Sequence, residues 1–524
     1  MRARMMLTVA AALLPLAAAA SPPPSSTVSL AQGQLSGVTQ GASTAFLGIP
    51  YAAAPVGPNR WRRPQPAPSW KGVRPATKVG ASCAQDLWQP FGPYTQEFLE
   101  AGPTSEDCLF LNVWTPTSTT GKWPVLVWIH GGGFAGGSGG MPMMNGAPLA
   151  SKGAVVVTIN YRLGIFGYLA HPGLTAEDPR HTSGNYGLED QIAAVRWVRN
   201  NIARFGGDPE DVTIGGESGG AVSVNSLLLS PEARGLFQRA VAVSGTGMGI
   251  PAPKLHQAEE YGLAVAKALR AKSVADLRAL STDRVLAGVI EPAEGPAGAP
   301  RFAFWPVVDG TILPEDPNDR SSHPRSIVPL MAGFNADENS VVVATTIADF
   351  EKYVRAWFGD HADKIMALYP HATDEEAVAS VHLLARDRYM TSLILWTSAR
   401  TKGSGQRIYR YLYDHPSPTA SGPSFGAFHT AGVPYIFGNL DPAARPYGPK
   451  DREVSEQLQG YLVNFMKHGD PNGGGLPAWP KTLPTGLAVM ALGLQPGERT
   501  AVSNSARFEA LRAFAADGGV LCLF

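Results

Sequence analysis

The sequence predicts an α/β fold built on a mostly parallel sheet with helices on both faces. Short apolar runs rich in β-branched residues recur along the chain, and segments with helical spacing of apolar residues separate them. This alternation of strand and helix favours parallel pairing, with ligands expected at the carboxyl ends of the strands. A hydrophobic fraction of 44% and a charged fraction of 16% indicate a globular chain of 524 residues.

Predicted strands and helices divide the chain into a regular order. One helix is predicted over Leu188–Phe205, where apolar residues recur at helical spacing and two glycines follow. Helical segments around 256–290 and 348–403 are interpreted as insertions between late strands. We expect a single domain over residues 31–524, preceded by an extended segment over 21–30. The predicted strands are Val125–Ile129, Ala154–Ile159, Val212–Ile214, Ala240–Val243, Ile327–Ala332 and Ile408–Tyr413.

The first twenty residues have the pattern of a cleavable signal peptide. Arg2 and Arg4 precede an apolar run, Met5 to Ala20, that ends in small residues. A membrane-spanning helix needs about 20 uninterrupted apolar residues, whereas this run is shorter and contains Pro15. We expect cleavage after Ala20, a secreted or periplasmic protein and no stable membrane anchor after cleavage. The alternative is a retained amphipathic anchor.

Charge excludes one class of partner. Lys plus Arg and Asp plus Glu both number 43, so the formal net charge is zero. Sequence-independent binding to nucleic acid needs a basic surface. Nucleic acid is therefore not an expected partner.

The chain has three cysteines. If the protein is exported, they lie in an oxidising environment where disulfides persist. We pair Cys83 with Cys108, whose loop would contribute roughly 3 kcal/mol to stability in the chain-entropy model. Cys522 lies in an apolar tail and is expected to be a free thiol. Because no cysteine spacing typical of a metal site occurs, no metal ligand is predicted.

One serine lies in the context of a nucleophile. The pattern G-x-S-x-G places a serine on a tight turn between a strand and a helix. Only the match around Ser218 follows a strand-like run and precedes a helix-like one, Ala221–Leu229. Ser218 is therefore the candidate nucleophile, and Ser138 and Ser424 are expected to be structural. The three matches are Gly136–Gly140, Gly216–Gly220 and Gly422–Gly426.

A serine nucleophile needs a base, here a histidine, and an acid that orients the base. In this fold class the order along the chain is serine, then the acid, then the histidine. His415, His429 and His468 all come late enough, and spacing alone does not choose among them. The acid is similarly open among Asp309, Asp337 and Glu338.

The third requirement is an oxyanion hole, formed by backbone N–H groups that meet the charge of the tetrahedral intermediate. His130, three glycines and Phe134 directly follow the first strong strand, and glycine lets backbone amides approach a ligand closely. A phosphate-binding loop is the alternative, but no Walker lysine and serine follow.

A series of segments in order resembles the type-B carboxylesterase and cholinesterase family of α/β-hydrolases, and the series runs along most of the mature chain. The segments are GIPYAAAPVGPNRW (48–61), SEDCLFLNVW (105–114), VLVWIHGGGF (125–134), NYRLGIFGYL (160–169), GNYGLEDQIAAVRWVRNNIARFGGDP (184–209), VTIGGESGGA (212–221), PVVDGTILPEDP (306–317), NADENS (335–340), HTAGVPYIFGN (429–439) and GDPNG with LPAWP (469–480).

The resemblance implies an α/β-hydrolase fold with helical insertions over the active site, and it implies roles for individual residues. The nucleophile falls on Ser218, the acid on Glu338 and the base on His429. No cofactor or metal is implied. The oxyanion donors fall on Gly132, Gly133 and Gly219, and the family's first disulfide on Cys83 and Cys108.

Aromatic residues are candidates for a substrate pocket. In similar enzymes the disulfide loop lines a gorge, which here places Trp88 beside the substrate. Phe302 and Trp305 precede PVVDG and are expected near the acyl pocket. The alternative is that these aromatic side chains belong to the core.

The chain also departs from the family pattern. Gly219 stands where alanine is common, and Asn339 replaces the glycine after the acid. Thr430 follows the histidine, and Gly432 occupies a position where relatives commonly have glutamate. We therefore expect the buried network around Glu217 and Ser244 to lack one member.

Together these observations predict a secreted carboxylic ester hydrolase that forms an acyl-enzyme on Ser218 and acts on a small-molecule ester. Alternatives with the same fold are an amidase, a thioesterase or an esterase for a bulky natural product. A non-catalytic binding protein is the alternative from another class, and the intact Ser218, Glu338 and His429 weigh against it. The sequence does not determine oligomeric state.

Overall fold

The computed structural model describes residues 25–99, 101–118, 122–245, 247, 249–289, 303–339, 345–419, 424–441, 445–480, 482–483 and 485–522. The strands are β1 (Ser25–Leu30), β2 (Gly33–Gln40), β3 (Ser43–Pro50), β4 (Val73–Pro75), β5 (Ser82–Cys83), β6 (Thr104–Ser105), β7 (Phe110–Pro116), β8 (Trp123–Ile129), β9 (Val155–Ile159), β10 (Gly207–Glu217), β11 (Arg239–Val243), β12 (Leu330–Asn335), β13 (Ile408–Tyr413), β14 (Ala488–Leu492) and β15 (Gly497–Thr500).

The α-helices vary widely in length. They are α1 (Gln96–Leu99), α2 (Ala147–Ala150), α3 (Gly164–Tyr168), α4 (Pro172–Glu177), α5 (Tyr186–Asn201), α6 (Gly219–Leu229), α7 (Leu255–Ala268), α8 (Val274–Ala279), α9 (Thr282–Leu286), α10 (Ile347–Phe358), α11 (Ala362–Met366), α12 (Asp374–Ser404), α13 (Val433–Phe437), α14 (Pro449–His468) and α15 (Ser505–Ala516).

A large sheet organises the described residues. Its order is β1-β2-β3-β7-β9-β8-β10-β11-β12-β13-β14-β15, with β4 paired to β2. From β9 to β14 every neighbouring pair is parallel, whereas β1, β2, β3 and β7 form an antiparallel extension at one end and β15 closes the other. The predicted mostly parallel sheet is confirmed. The parallel strands point their carboxyl ends to one edge, where a site is expected.

The six predicted strands are all present, with some boundaries shifted. The fifth predicted strand was expected over Ile327–Ala332, but the corresponding strand, β12, runs over Leu330–Asn335. Ile327 is exposed and Pro329 has no N–H group, so the strand starts after the proline and continues into Asn335. The third predicted strand corresponds to β10, which is longer than expected because it begins at Gly207. Its pairing with β8 shifts register between Gly207 and Val212.

Helices cover the parallel strands. The predicted helix over Leu188–Phe205 is α5, which begins two residues earlier, at Tyr186, and passes into a 3-10 turn over Ile202–Phe205. Gly206, with a φ of 82°, ends that turn. The two predicted insertions are α7 to α9 between β11 and β12, and α10 to α12 between β12 and β13.

The chain around the sheet contains the predicted disulfide. Cys83 and Cys108 are bonded, with Cα atoms 4.9 Å apart, and Cys522 is a buried free thiol. Residues 25–30 are extended as expected but form β1, so they belong to the sheet rather than to a leading segment. The predicted signal peptide lies outside the described residues. Within the described part of the chain, no helix has the length and apolar character needed to span a membrane.

Candidate active site

Ser218 lies on a strained turn between β10 and α6. Its φ of 56° and ψ of −124° fall in a region that side chains other than glycine rarely adopt. The flanking glycines are sterically required, because a Cβ atom at Gly216 or Gly220 would overlap the carbonyl oxygen of Gly220 or Ile129, respectively. The Ser218 N–H donates to the carbonyl oxygen of Val243 at 2.8 Å. The turn is therefore fixed to the neighbouring strand.

The glycine loop, residues His130–Phe134, follows β8 and packs directly against this turn. A Cβ atom added to Gly131 would lie 2.9 Å from the Ser218 Cβ and 2.6 Å from Glu217 Oε2. Gly132 and Gly133 have φ values of 99° and 58°. A Cβ atom at Gly219 would lie 3.2 Å from the Gly133 amide nitrogen. The predicted oxyanion residues thus converge beside Ser218.

The glycine loop is held by its first residue, His130. The imidazole stacks on Tyr161 with ring centroids 4.5 Å apart, and the Tyr161 hydroxyl donates to the His130 carbonyl oxygen at 2.9 Å. Burial lowers the pKa of His130 to about 4, so the ring is neutral at pH 7. Its Nδ1–H group then donates to the Gly131 carbonyl oxygen at 2.8 Å.

Glu338 and His429 are joined by a short hydrogen bond although they lie far apart in sequence. His429 Nδ1 is 2.5 Å from Glu338 Oε2, and the Asn335 N–H donates to Glu338 Oε1 at 2.7 Å. The Asn335 side-chain amide donates to the Phe428 carbonyl oxygen at 2.6 Å. Asn335, the last residue of β12, thus connects the loop that carries Glu338 with the loop that carries His429. Its role has no signal in the sequence beyond its place at the strand end.

Glu217 contacts the other side of the imidazole. Its Oε1 atom is 3.3 Å from His429 Nε2 and accepts a hydrogen bond from the Thr430 hydroxyl at 2.6 Å. Among the described residues the Ser244 hydroxyl has no hydrogen-bond partner. The expected network around Glu217 and Ser244 is therefore organised differently, with Thr430 as the partner of Glu217. In the sequence, Thr430 is distinguished only as a departure from the family pattern.

Two carboxylates determine the charge of the imidazole. Burial alone would lower the pKa of His429, but Glu217 and Glu338 together raise it to about 9. Burial raises the pKa of the Glu217 carboxyl, while His429 and the Thr430 hydroxyl act in the opposite direction. The site therefore stabilises an imidazolium ion between two carboxyl groups.

The predicted pocket residues lie in different surroundings. Trp88 is 41% exposed, and its ring lies near Gly136, just after the glycine loop. Trp305 packs edge-to-face on Phe134, the last residue of that loop, with centroids 4.8 Å apart. Phe302 lies outside the described residues. Tyr94, in the disulfide loop, packs edge-to-face on Phe428, which directly precedes His429.

The other candidate serines and histidines have different surroundings. Ser138 is buried in a loop and its hydroxyl bonds to Asn160, whereas Ser424 is exposed. His415 pairs with Asp451 at 2.9 Å, and His468 is the exposed last residue of α14.

The remaining candidate acids are bonded to groups other than the candidate histidines. Asp309 accepts hydrogen bonds from the N–H groups of Thr311 and Leu313, as expected of a turn residue. Asp337 accepts from the Ala427 N–H and pairs with Arg386 at 3.1 Å. Of the candidate acids, Glu338 is the one bonded to a candidate base.

Comparisons with known proteins agree with this geometry. The family model described as "Carboxylesterase family" matches residues 24–510. The chain is 36% identical over 482 residues to the fumonisin B1 esterase of Sphingopyxis macrogoltabida, covering 89% of this chain and 86% of that protein. It is 34% identical over 466 residues to the para-nitrobenzyl esterase of Bacillus subtilis (strain 168), covering 85% and 90%.

The fold is also found among solved structures. A structure of PNB esterase matches with a TM-score of 0.76 and 30% identity, covering 93% of this chain and 99% of that one. The relatives are esterases, and the likeness extends over nearly the whole chain. This chain therefore belongs to the carboxylesterase family and is a carboxylic ester hydrolase.

Proposed function

We propose that the chain hydrolyses carboxylic esters through an acyl-enzyme formed on Ser218, with His429 as the general base and Glu338 as its orienting acid. The observation that carries the proposal is the Glu338–His429 hydrogen bond beside a strained serine turn that packs against a glycine loop. A serine hydroxyl is a weak nucleophile until a base removes its proton and an acid orients that base.

The steps follow from these positions. Ser218 Oγ attacks the ester carbonyl carbon while His429 accepts the hydroxyl proton, and Glu338 stabilises the resulting imidazolium ion. The N–H groups of Gly132, Gly133 and Gly219 donate to the oxyanion. The imidazolium then gives its proton to the leaving alcohol, and water activated by His429 releases the acid.

Exposed apolar residues favour an ester with an apolar portion. Leu87, Trp88 and Phe91 of the disulfide loop are each at least 41% exposed, and Trp88 lies beside Gly136, which follows the glycine loop. The similarity to a fumonisin B1 esterase and a para-nitrobenzyl esterase supports testing bulky as well as small aryl esters.

Export is part of the proposal. The signal-peptide pattern over residues 1–20 and the Cys83–Cys108 disulfide both favour an oxidising compartment outside the cytoplasm. N-terminal sequencing of protein secreted by an expression host would test cleavage after Ala20. A mature protein that still begins at Met1 would contradict it.

Labelling with a fluorophosphonate tests the nucleophile directly. We expect one label, mapped by mass spectrometry to Ser218, which is lost in Ser218→Ala and strongly reduced in His429→Ala. Ser424→Ala is the matched control, because Ser424 lies in another G-x-S-x-G pattern but is exposed, and its hydroxyl accepts a hydrogen bond from the Gly426 N–H. A folded protein that takes no label, or takes it at Ser424, would refute the proposal.

A further inference from the structure

The residue after the candidate base, Thr430, has an unusual backbone. Its φ is 76°, in the left-handed region, where a β-branched side chain is strongly disfavoured. Such strain persists where the surrounding structure imposes it, and it concentrates at functional sites. Glycine would adopt this conformation without strain, so the backbone alone gives no reason for threonine here.

The strained conformation brings the Thr430 hydroxyl to Glu217. Thr430 Oγ1–H donates to Glu217 Oε1 at 2.6 Å, and this same oxygen lies 3.3 Å from His429 Nε2. Glu217 is 4% exposed, so its carboxylate has little access to water. A buried carboxylate needs hydrogen bonds to remain ionised. The Thr430 hydroxyl supplies one.

We infer that Thr430 is a positioning residue: its hydroxyl holds the Glu217 carboxylate in place beside the imidazole of His429 and thereby strengthens His429 as a proton acceptor. The inference rests on the proposed function for its catalytic meaning. Glu338 contacts Nδ1 and Glu217 faces Nε2, so the two carboxylates act on opposite sides of one ring.

The sign of the effect follows from the charges around Glu217. Loss of the hydroxyl removes a hydrogen bond that lowers the pKa of Glu217, so the carboxyl becomes protonated more readily. A neutral Glu217 no longer raises the pKa of His429, which therefore falls. The titratable groups that face Glu217 are His429, Glu338, Tyr94, Tyr161 and Tyr411.

Three variants separate the hydroxyl from the backbone strain. Thr430→Val keeps the β-branched shape and the strain but lacks the hydroxyl. Thr430→Ser keeps the hydroxyl, and Thr430→Gly lacks it while relieving the strain. Thermal unfolding of each variant shows whether it is folded.

The pH dependence of kcat/KM for a p-nitrophenyl ester is the first readout. In Thr430→Val we expect the acidic limb to move to lower pH by about one unit and the plateau kcat/KM to fall by about tenfold. Thr430→Ser should restore both, and Thr430→Gly should resemble Val. In a Glu217→Gln background, Thr430→Val should produce no further shift, because the coupling partner is gone.

A readout independent of activity is the titration of His429 by NMR with labelled histidine, assigned by comparison with His429→Gln. A folded Thr430→Val protein whose His429 titrates as in the wild type would overturn the inference. A wild type that neither hydrolyses esters nor takes the fluorophosphonate label would overturn the proposed function instead, while the NMR titration would still decide the role of Thr430.

Discussion

A methyl group at Gly131 should separate the glycine loop from the serine turn. In Gly131→Ala the new Cβ would lie 2.9 Å from the Ser218 Cβ and 2.6 Å from Glu217 Oε2. Carbon atoms in contact pack at about 3.5–4.0 Å, so the loop must move away from Ser218 by about half an ångström. The φ of Gly131 is not positive, so the backbone itself accepts alanine.

The expected consequence is a defect in the oxyanion hole. Loss of one oxyanion donor costs about 10²–10³ in kcat, and a displacement of about 1 Å costs about 10². We therefore expect kcat for p-nitrophenyl acetate to fall by about 10²-fold. Overpacking should lower the free energy of unfolding by about 1–3 kcal/mol, which is less than the roughly 5–15 kcal/mol typical of native proteins.

A matched glycine provides the control. Gly403 lies in α12, and a Cβ atom added there would meet nothing within 4 Å. Gly403→Ala should leave kcat unchanged. If Gly131→Ala retained kcat within about threefold of the wild type, the glycine loop would not form the oxyanion hole as its packing implies.

Three further predictions concern stability and pH. Replacing Cys83 and Cys108 together by alanine should lower the free energy of unfolding by about 3 kcal/mol, because the unfolded chain is no longer cross-linked; equal melting temperatures of the variant and the wild type would contradict this. Glu217 and Glu338 raise the pKa of His429 to about 9, and the base must lose its proton before it can act. The acidic limb of the pH profile of kcat/KM should therefore lie well above pH 6.5. A limb at or below pH 6.5 would show that the two carboxylates do not raise the pKa of His429. Gly432→Ala should stabilise the protein by about 0.4–1 kcal/mol, because Gly432 has an ordinary φ of −75° and the nearest atom to an added Cβ is 3.6 Å away; a lower urea midpoint would show that the methyl group does not fit there.

Local patterns in the sequence were sufficient to predict β8 to β13, the central parallel strands, but not β14 or the antiparallel strands at the two ends of the sheet. The runs of β-branched residues identified the buried strands because such strands carry apolar side chains on both faces. The predicted start of β12 was wrong. Ile327 is β-branched and apolar, as strand residues often are, but Pro329 has no N–H group and the strand starts only after it, at Leu330.

The candidate site was predictable only in part. Ser218 could be chosen because the strand and helix that flank it are local features of the sequence. Glu338 and His429 required the family resemblance, because the 90 residues between them hide their proximity. The contact between Thr430 and Glu217 was not predictable, because it depends on a left-handed backbone conformation that a threonine does not signal.

The two hydrogen bonds of Asn335 have a consequence for how this enzyme can change. They tie the loop of Glu338 to the loop of His429 through atoms at the end of β12, and Arg386 of α12 adds hydrogen bonds to Ala336 and Asp337 beside Glu338. The proposed acid and base are thus held in register by the sheet and by one helix of the connection between β12 and β13. Changes of length or sequence in that connection should therefore leave the Glu338–His429 hydrogen bond intact as long as Asn335 and Arg386 keep their places.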